Sequence, residues 1–450
     1  MSRGRLADSD DRLAYIDQAT YLSFAATGRQ QLAQFVWVYE RQVDMDGLRR
    51  FHAHFGQGLA ARLIEHSVLP FGRHRWVSAA GAPAPLDVAD PRPPGQLGAW
   101  IEERSQTPVD PVHGPGWHLG VLPMSDGTSA VTLVLSHCLL DGGGSLLAMA
   151  EAVDGGRRDF GYDMPAARPR RKRFTSDVRQ VVRDLPDFGR TVVHAAKFAY
   201  GKRGEISSSS GASRPPAAHV PDGDVVLPAV SAIVDARDWD ARAEALGGTT
   251  YSLLAGFGAL LGKRLGRVRD DGTVTTLIAI SDRAGDDDLR GNAMKIATAT
   301  IDPSDVTTDL AGTRSAVREA FAVVRDVPDD THLLLPITPY VPKRAVRRTA
   351  DVLFGDLPVS CSNLGEVPAE MLRIDGSAAD YVLFRPMDQN VSRATIERTG
   401  GQLVLAAGRT STFISIGVVG YEVGADNTRE WLGDRVTETL ATLELKATII

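Results

Sequence analysis

The stretch AVTLVLSHCLLDGGGSLLAMAEAV, residues 130–153, holds the residues of this chain best spaced for chemistry. The apolar, β-branched run from Val131 to Leu135 predicts a buried strand, with Ser136 and His137 at its end. Asp141 follows four residues later, then Gly142, Gly143 and Gly144, then a helix from Ser145. Core packing at the end of such a strand holds an imidazole against a cleft, and imidazole is the side chain that exchanges protons near pH 7. The glycines let another chain or a ligand approach the backbone closely. Taken alone, the pattern fits a His–Asp dyad, a metal site or a structural histidine beside a helix cap. A metal site lacks a third ligand nearby. Cys138 makes no thiol dyad with His137, because neighbours on a strand point to opposite faces.

The elements that must position these residues are legible from periodicity. In the first half, helices are expected over Leu13–Phe24, Asp44–Leu63 and 97–106, and strands over Gln34–Tyr39, 117–122 and 130–136. In the second half, strands are expected at 225–234, 273–280, 294–301, 357–362, 381–385, 403–407 and 412–420. Helices are expected at 236–246, 250–265, 308–326 and 427–444. Strands and helices interspersed through both halves give a mixed α/β (α+β) protein of two lobes.

Between the halves lies a segment of different composition, which divides the chain into a first lobe (1–165), a crossover and linker (166–222) and a second lobe (223–450). From Arg168 to Arg203 it holds eleven basic residues against Asp177, Asp184 and Asp187. Val182, Leu185, Phe188, Val192, Ala195 and Phe198 recur mostly on one side of a helix there. Its end, EISSSSGASRPPAAHVPDGD, reads as a flexible connection. A basic amphipathic helix of this kind lies on an anionic membrane surface, guides an anionic substrate, or is a plain crossover with a solvated basic face.

Composition narrows the class. The chain has 450 residues, a net charge of −6 and 43% hydrophobic residues, the profile of an ordinary globular protein. That charge argues against a dedicated nucleic-acid binder. Cys138 and Cys361 make no disulfide framework, and no CxxC pair is present for zinc. The first residues carry no apolar signal core, and the longest apolar runs fall short of a bilayer span. A cytoplasmic location is expected, with peripheral contact to the inner face of the membrane through 168–203 as an option.

The segment SHCLLDGG resembles the HHxxxDG motif of the condensation-domain and HxxxD acyltransferase superfamily, which includes chloramphenicol acetyltransferase. Further segments match in order. LAYIDQATYL resembles the opening helix, LIEHSVLPFGRHRWV the "FR-x-R" stretch, and the Trp117 strand the one preceding the motif. VTTLIAISDRAGDDDLRGNAM resembles the PVxxR…GN stretch, and PVSCSNLGEVP the SN-x-G/P segment. In layout the chain is most similar to bacterial wax ester synthase/diacylglycerol acyltransferases and polyketide-associated acyltransferases.

The resemblance implies two chloramphenicol-acetyltransferase-like lobes in a V, with an active-site tunnel at their interface. It implies His137 as general base and gives Asp141 a structural role, ion-paired to Arg283 or, failing that, Arg290. It implies an acyl thioester donor, on CoA or a carrier protein, with a small-molecule or lipid hydroxyl acceptor. No tightly bound cofactor and no metal are called for. Ser136, Gly142, Gly143, Ser362 and Asn363 are candidates for oxyanion stabilisation or substrate positioning, with turn formation as the plainer role of Ser362 and Asn363. Trp117, His118, His74 and His332 read as structural, and Asp286–Asp288 as a solvated loop. Ser136 replaces the first motif histidine. The wax ester synthases' Asn-Asp pair is replaced by Thr250-Tyr251 or Tyr251-Ser252, and the condensation domains' late DFGWG motif is missing. An amide-forming condensation enzyme and a degenerate lipid- or carrier-binding homologue therefore stand as alternatives.

Overall fold

The computed structural model describes residues 11–79, 84–201, 223–326, 333–342, 344 and 357–450, with backbone alone for 194–201. His332, the Ser/Pro/Gly-rich linker and the side chains of Ala195 and Phe198 lie outside the described residues. The first half runs α1 (Tyr15–Thr27), β1 (Gln30–Tyr39), α2 (Met45–Phe55), β2 (Arg62–Glu65), β3 (Arg75–Ser78) and β4 (Leu86–Val88). It continues through α3 (Leu97–Ser105), β5 (Trp117–Pro123), β6 (Ser129–Ser136), α4 (Gly142–Val153) and the long α5 (Arg170–Gly201).

The second half opens with β7 (Asp224–Val225), β8 (Ala229–Asp235), α6 (Ala236–Ala245) and α7 (Thr250–Arg264). Next come β9 (Val274–Ser281), β10 (Met294–Ile301), α8 (Ala311–Asp326), β11 (Val359–Glu366) and β12 (Tyr381–Gln389). It closes with β13 (Val391–Ser392), α9 (Arg393–Arg398), β14 (Gln402–Arg409), β15 (Phe413–Tyr421), α10 (Arg429–Thr442) and β16 (Thr448–Ile449).

Helix α2 stops earlier than its apolar spacing predicts. Asp44 caps its start by accepting the amides of Asp46 and Gly47, and Gly56 ends it. Leu59 is buried by the turn that follows, and Arg62 already belongs to β2.

Two sheets organise the described residues. The first has five strands in the order β12-β1-β6-β5-β4, so it takes one strand from beyond the linker. That strand, β12, runs antiparallel to β1 with Gln34 opposite Arg385 and Phe35 opposite Phe384. The second sheet has seven strands in the order β10-β9-β11-β14-β15-β8-β16. Here β11 lies parallel to both neighbours, with Ser362 beside Ala279 and Ala406. Strand β6 is buried along its whole length, which is why its sequence is continuously apolar rather than alternating. Trp37, Trp100 and Phe55 fill the first core; Trp239, Phe257 and the leucines of α7 fill the second.

Helix α5 turns its apolar side outward. Its inward face is the polar one: Asp177 accepts from Arg12 at 2.7 Å and Arg75 at 2.5 Å, and Asp184 from Arg73 at 2.9 Å. Val182, Leu185 and Val192 point outward and are exposed, while Phe188 packs on Tyr340.

Candidate active site

Strand β6 ends at Ser136, and the chain turns through His137 to Leu140 before α4 begins. Asp141 caps that helix, its Oδ1 accepting from the Gly144 amide at 2.6 Å. The His137 amide donates to the Gln31 carbonyl at 3.0 Å, which keeps the turn on the first sheet.

The second half of the chain reaches this turn through Gly291, Asn292 and Ala293. Asn292 Nδ2 donates to the His137 carbonyl at 3.1 Å, and the Asp141 amide donates to the Gly291 carbonyl at 2.8 Å. The Ala293 amide donates to Asp141 Oδ2 at 2.7 Å. Arg283 Nη2 donates to Asp141 Oδ1 at 2.8 Å, and both side chains are nearly buried. The Asp141 carboxylate is thus consumed by Gly144, Ala293 and Arg283, an arrangement that excludes it from a dyad with His137. Arg290 turns elsewhere, to Asp282 and Asp288.

Three residues that the sequence reading did not single out complete the clamp. Asp17 of α1, fully buried, accepts from the Gly291 amide at 3.0 Å and the Asn292 amide at 2.6 Å. Burial pushes its carboxyl above the usual carboxylate range, against the pull of Arg62 and those amides. Arg62, also fully buried, donates to the Leu139 carbonyl at 3.0 Å and the Leu289 carbonyl at 2.5 Å, with its guanidinium over Trp76. Asn292 was the third. Asp17 and Asn292 stood inside segments matched to the family, but their role depends on pairing across 275 positions of chain.

His137 itself is half-buried, and no group among the described residues hydrogen-bonds its ring; Nδ1 is buried without a partner. The other histidines with described side chains are all tied. His52 bonds the Ala84 carbonyl, His54 the Ala152 carbonyl and His118 the Arg104 carbonyl. His66 meets Tyr21, His74 the Ser67 amide and His113 the Asp110 carboxylate. Burial pushes His118 down to about 4, with Arg104 adding to the effect.

The remaining candidates divide. Gly142 and Gly143 open α4, where first-turn amides have no intrahelical acceptor, and Gly143 is exposed. Ser362 is half-buried on β11, and Asn363 Oδ1 accepts from the Gly365 amide at 2.9 Å, a turn-forming bond. Leu364, next in that strand, packs against Gly142. Ser136 is fully buried, and its hydroxyl accepts from Gln30 Nε2 at 3.0 Å and the Cys138 amide at 3.3 Å. Both bonds use the lone pairs of its oxygen and tie strand ends together, leaving its own proton to donate from a fully buried position. Burial pushes the Cys138 thiol up to about 12. Trp117 is buried edge-on against Phe55.

Among the described residues, no three His, Cys, Asp or Glu side chains cluster as a metal site. Open clefts of about 570 and 540 Å³ lie beside Tyr251 and Tyr381, and His137 lines neither.

No family model and no curated protein sequence matches the chain. Solved structures do. A trichothecene 15-O-acetyltransferase from Fusarium sporotrichioides superposes with TM-score 0.57 at 11% identity, over 96% of this chain and 94% of that one. The wax ester synthase/diacylglycerol acyltransferase of Marinobacter aquaeolei VT8 gives 0.56 at 14% identity, over 97% and 99%. The first condensation domain of the CDA synthetase gives 0.55 at 14% identity, over 98% and 100%. The chain therefore has the condensation-domain, chloramphenicol-acetyltransferase-like fold that its motif order predicted.

Proposed function

We propose that this protein is an acyltransferase that moves an acyl group from a thioester, on CoA or a carrier protein, to a hydroxyl acceptor, with His137 as general base. The observation that carries the reading is His137: its backbone is clamped by both lobes, and its ring alone among the described histidines has no hydrogen-bond partner. The solved structures of like fold include an O-acetyltransferase and a wax ester synthase, which supports an ester product.

An alcohol attacking a thioester must lose its proton as the new bond forms. An imidazole with a free lone pair takes it, and a base so placed contributes about 10²–10⁴-fold. The protonated ring then delivers the proton to the departing thiolate, so no acyl-enzyme and no nucleophilic cysteine are needed. The amides of Gly142 and Gly143, with Ser362 and Asn363 Nδ2 from the facing lobe, are the donors for the tetrahedral oxyanion. Aligning two substrates between lobes contributes at least as much as the base, because oriented pairs reach effective molarities of about 10⁵ M or more. The test is a panel of acyl-CoAs with mixed alcohol and amine acceptors, read by thiol release and by mass spectrometry of products. Thiol release with ester formation, lost in His137→Ala, is expected. Amide products alone would replace the acceptor class, and no release with any pair would overturn the reading.

A further inference from the structure

Helix α5 turns its charges inside out. Its acidic residues Asp177 and Asp184 are spent on Arg12, Arg75 and Arg73 of the first lobe. What remains outside is apolar and basic, apart from Asp187, which pairs with Arg190 at 2.8 Å. Phe174, Val178, Val182, Leu185, Val192 and Val193 are all exposed, Val182 at 59% and Leu185 at 50%. At 3.6 residues per turn they share an arc of about 100°. Lys172, Arg179, Arg183 and Arg190, all exposed, form the adjoining arc. The stripe is not a core face left bare by chance, because the core-facing side is already filled by the ion pairs.

An unpaired apolar stripe flanked by a basic one on a helix of 32 residues, about 48 Å long, matches one kind of partner. We infer that α5 is an interfacial helix that lays its apolar stripe into the surface of an anionic lipid bilayer, with the basic stripe at the phosphate level. Charge complementarity decides the occupant. The apolar residues immerse to the acyl boundary, and the neighbouring guanidinium and ammonium groups meet lipid phosphates. The described stripe, Phe174 to Val193, runs about 30 Å along the helix, which favours a flat, extended surface over a small globular partner. Among the described residues no single helix is long and apolar enough to cross a membrane, so the contact made by α5 is lateral. The inference does not depend on the acyl-transfer reading.

The experiment is flotation of the full chain with phosphatidylcholine vesicles, with and without phosphatidylglycerol. Co-flotation with the anionic vesicles, weakened by high salt, is expected. Val182→Asp with Leu185→Asp, and separately Arg179→Glu with Arg183→Glu, should each lower vesicle partitioning by about tenfold or more. These side chains are exposed, so circular dichroism and the melting temperature should stay at their wild-type values. Three results overturn the inference: a wild-type chain that stays in the aqueous phase with both vesicles, variants that float like wild type, or variants that lose binding to an acidic acyl carrier protein while no form binds vesicles. The last would make α5 a protein-docking helix.

Discussion

The Asp141 carboxylate and the Arg283 guanidinium meet at 2.8 Å across the two lobes, 142 residues apart in sequence and shielded from water on both sides. Asp141 also caps α4 and accepts the Ala293 amide, so the pair fixes the His137 turn to the second lobe. Removing one partner strands the other as a buried charge, at a cost of roughly 3 kcal/mol. Arg283→Ala and Asp141→Asn should therefore both unfold at lower denaturant concentration and lose activity together. Wild-type unfolding curves for both would refute the structural role.

His137→Ala removes only a half-buried ring that makes no hydrogen bond among the described residues. Its unfolding curve should stay near wild type while turnover falls about 10²–10⁴-fold. Asn292→Ala is expected to lower turnover through the His137 carbonyl it holds. Residual activity near wild type in His137→Ala would end the general-base assignment.

Cys138 sits next to His137 in sequence, yet its thiol is buried and pushed up to about 12, with its amide bonded to Ser136. A thiolate nucleophile at neutral pH is excluded by that environment. Cys138→Ala should retain transfer activity, and iodoacetamide should leave Cys138 of the folded protein unmodified at pH 8, as peptide mass mapping would show.

Stability should depend on pH through His118. Buried in the first sheet, it is held down to about 4 from the ordinary 6.5, so the folded form resists the proton that the unfolded chain takes up. Its contribution is complete above about pH 6.5 and declines as pH falls toward 4, by about 3 kcal/mol in all. Denaturant titrations from pH 7 to pH 4 should show this loss, and His118→Gln should flatten the slope over that window.

Much of the fold was legible because periodicity survives in single elements. The runs 117–122, 130–136 and 294–301 became β5, β6 and β10 within a residue, and the helices expected at 236–246 and 250–265 kept their bounds to within one residue. The motif segment likewise drew attention to His137 and Asp141, and the resemblance named Arg283, which meets Asp141 in the fold. What stayed hidden depends on chain that meets only after folding. Nothing local in Gly291, Asn292 or Asp17 announces a knot between α1, the His137 turn and the second lobe. Leu364 lies just past the strand expected at 357–362, and nothing local announces that it meets Gly142. Ser136 was read as a candidate donor from its place beside His137, and the bond that its oxygen accepts from Gln30 on the neighbouring strand was not visible in the sequence. For α5 the pattern was visible but not which face it buries, because ion pairs rather than apolar contacts bury one face.

Gly142 and Gly291 are both needed small, for reasons that separate by experiment. A Cβ on Gly142 would lie 2.5 Å from Leu364 Cδ2, the far end of a flexible side chain. A Cβ on Gly291 would lie 2.7 Å from the Leu139 carbonyl and 2.9 Å from Asp17 Oδ1, which cannot turn away without breaking the clamp. Overpacking of this kind costs about 1–3 kcal/mol. Gly142→Ala should be destabilised and then largely rescued by Leu364→Ala, a positive coupling in a double-mutant cycle. Gly291→Ala should be destabilised by a similar amount, lose activity, and show no rescue by Leu364→Ala. Equal rescue of both would mean that Leu364, rather than the Gly291 backbone contact, sets how closely the two lobes approach at His137.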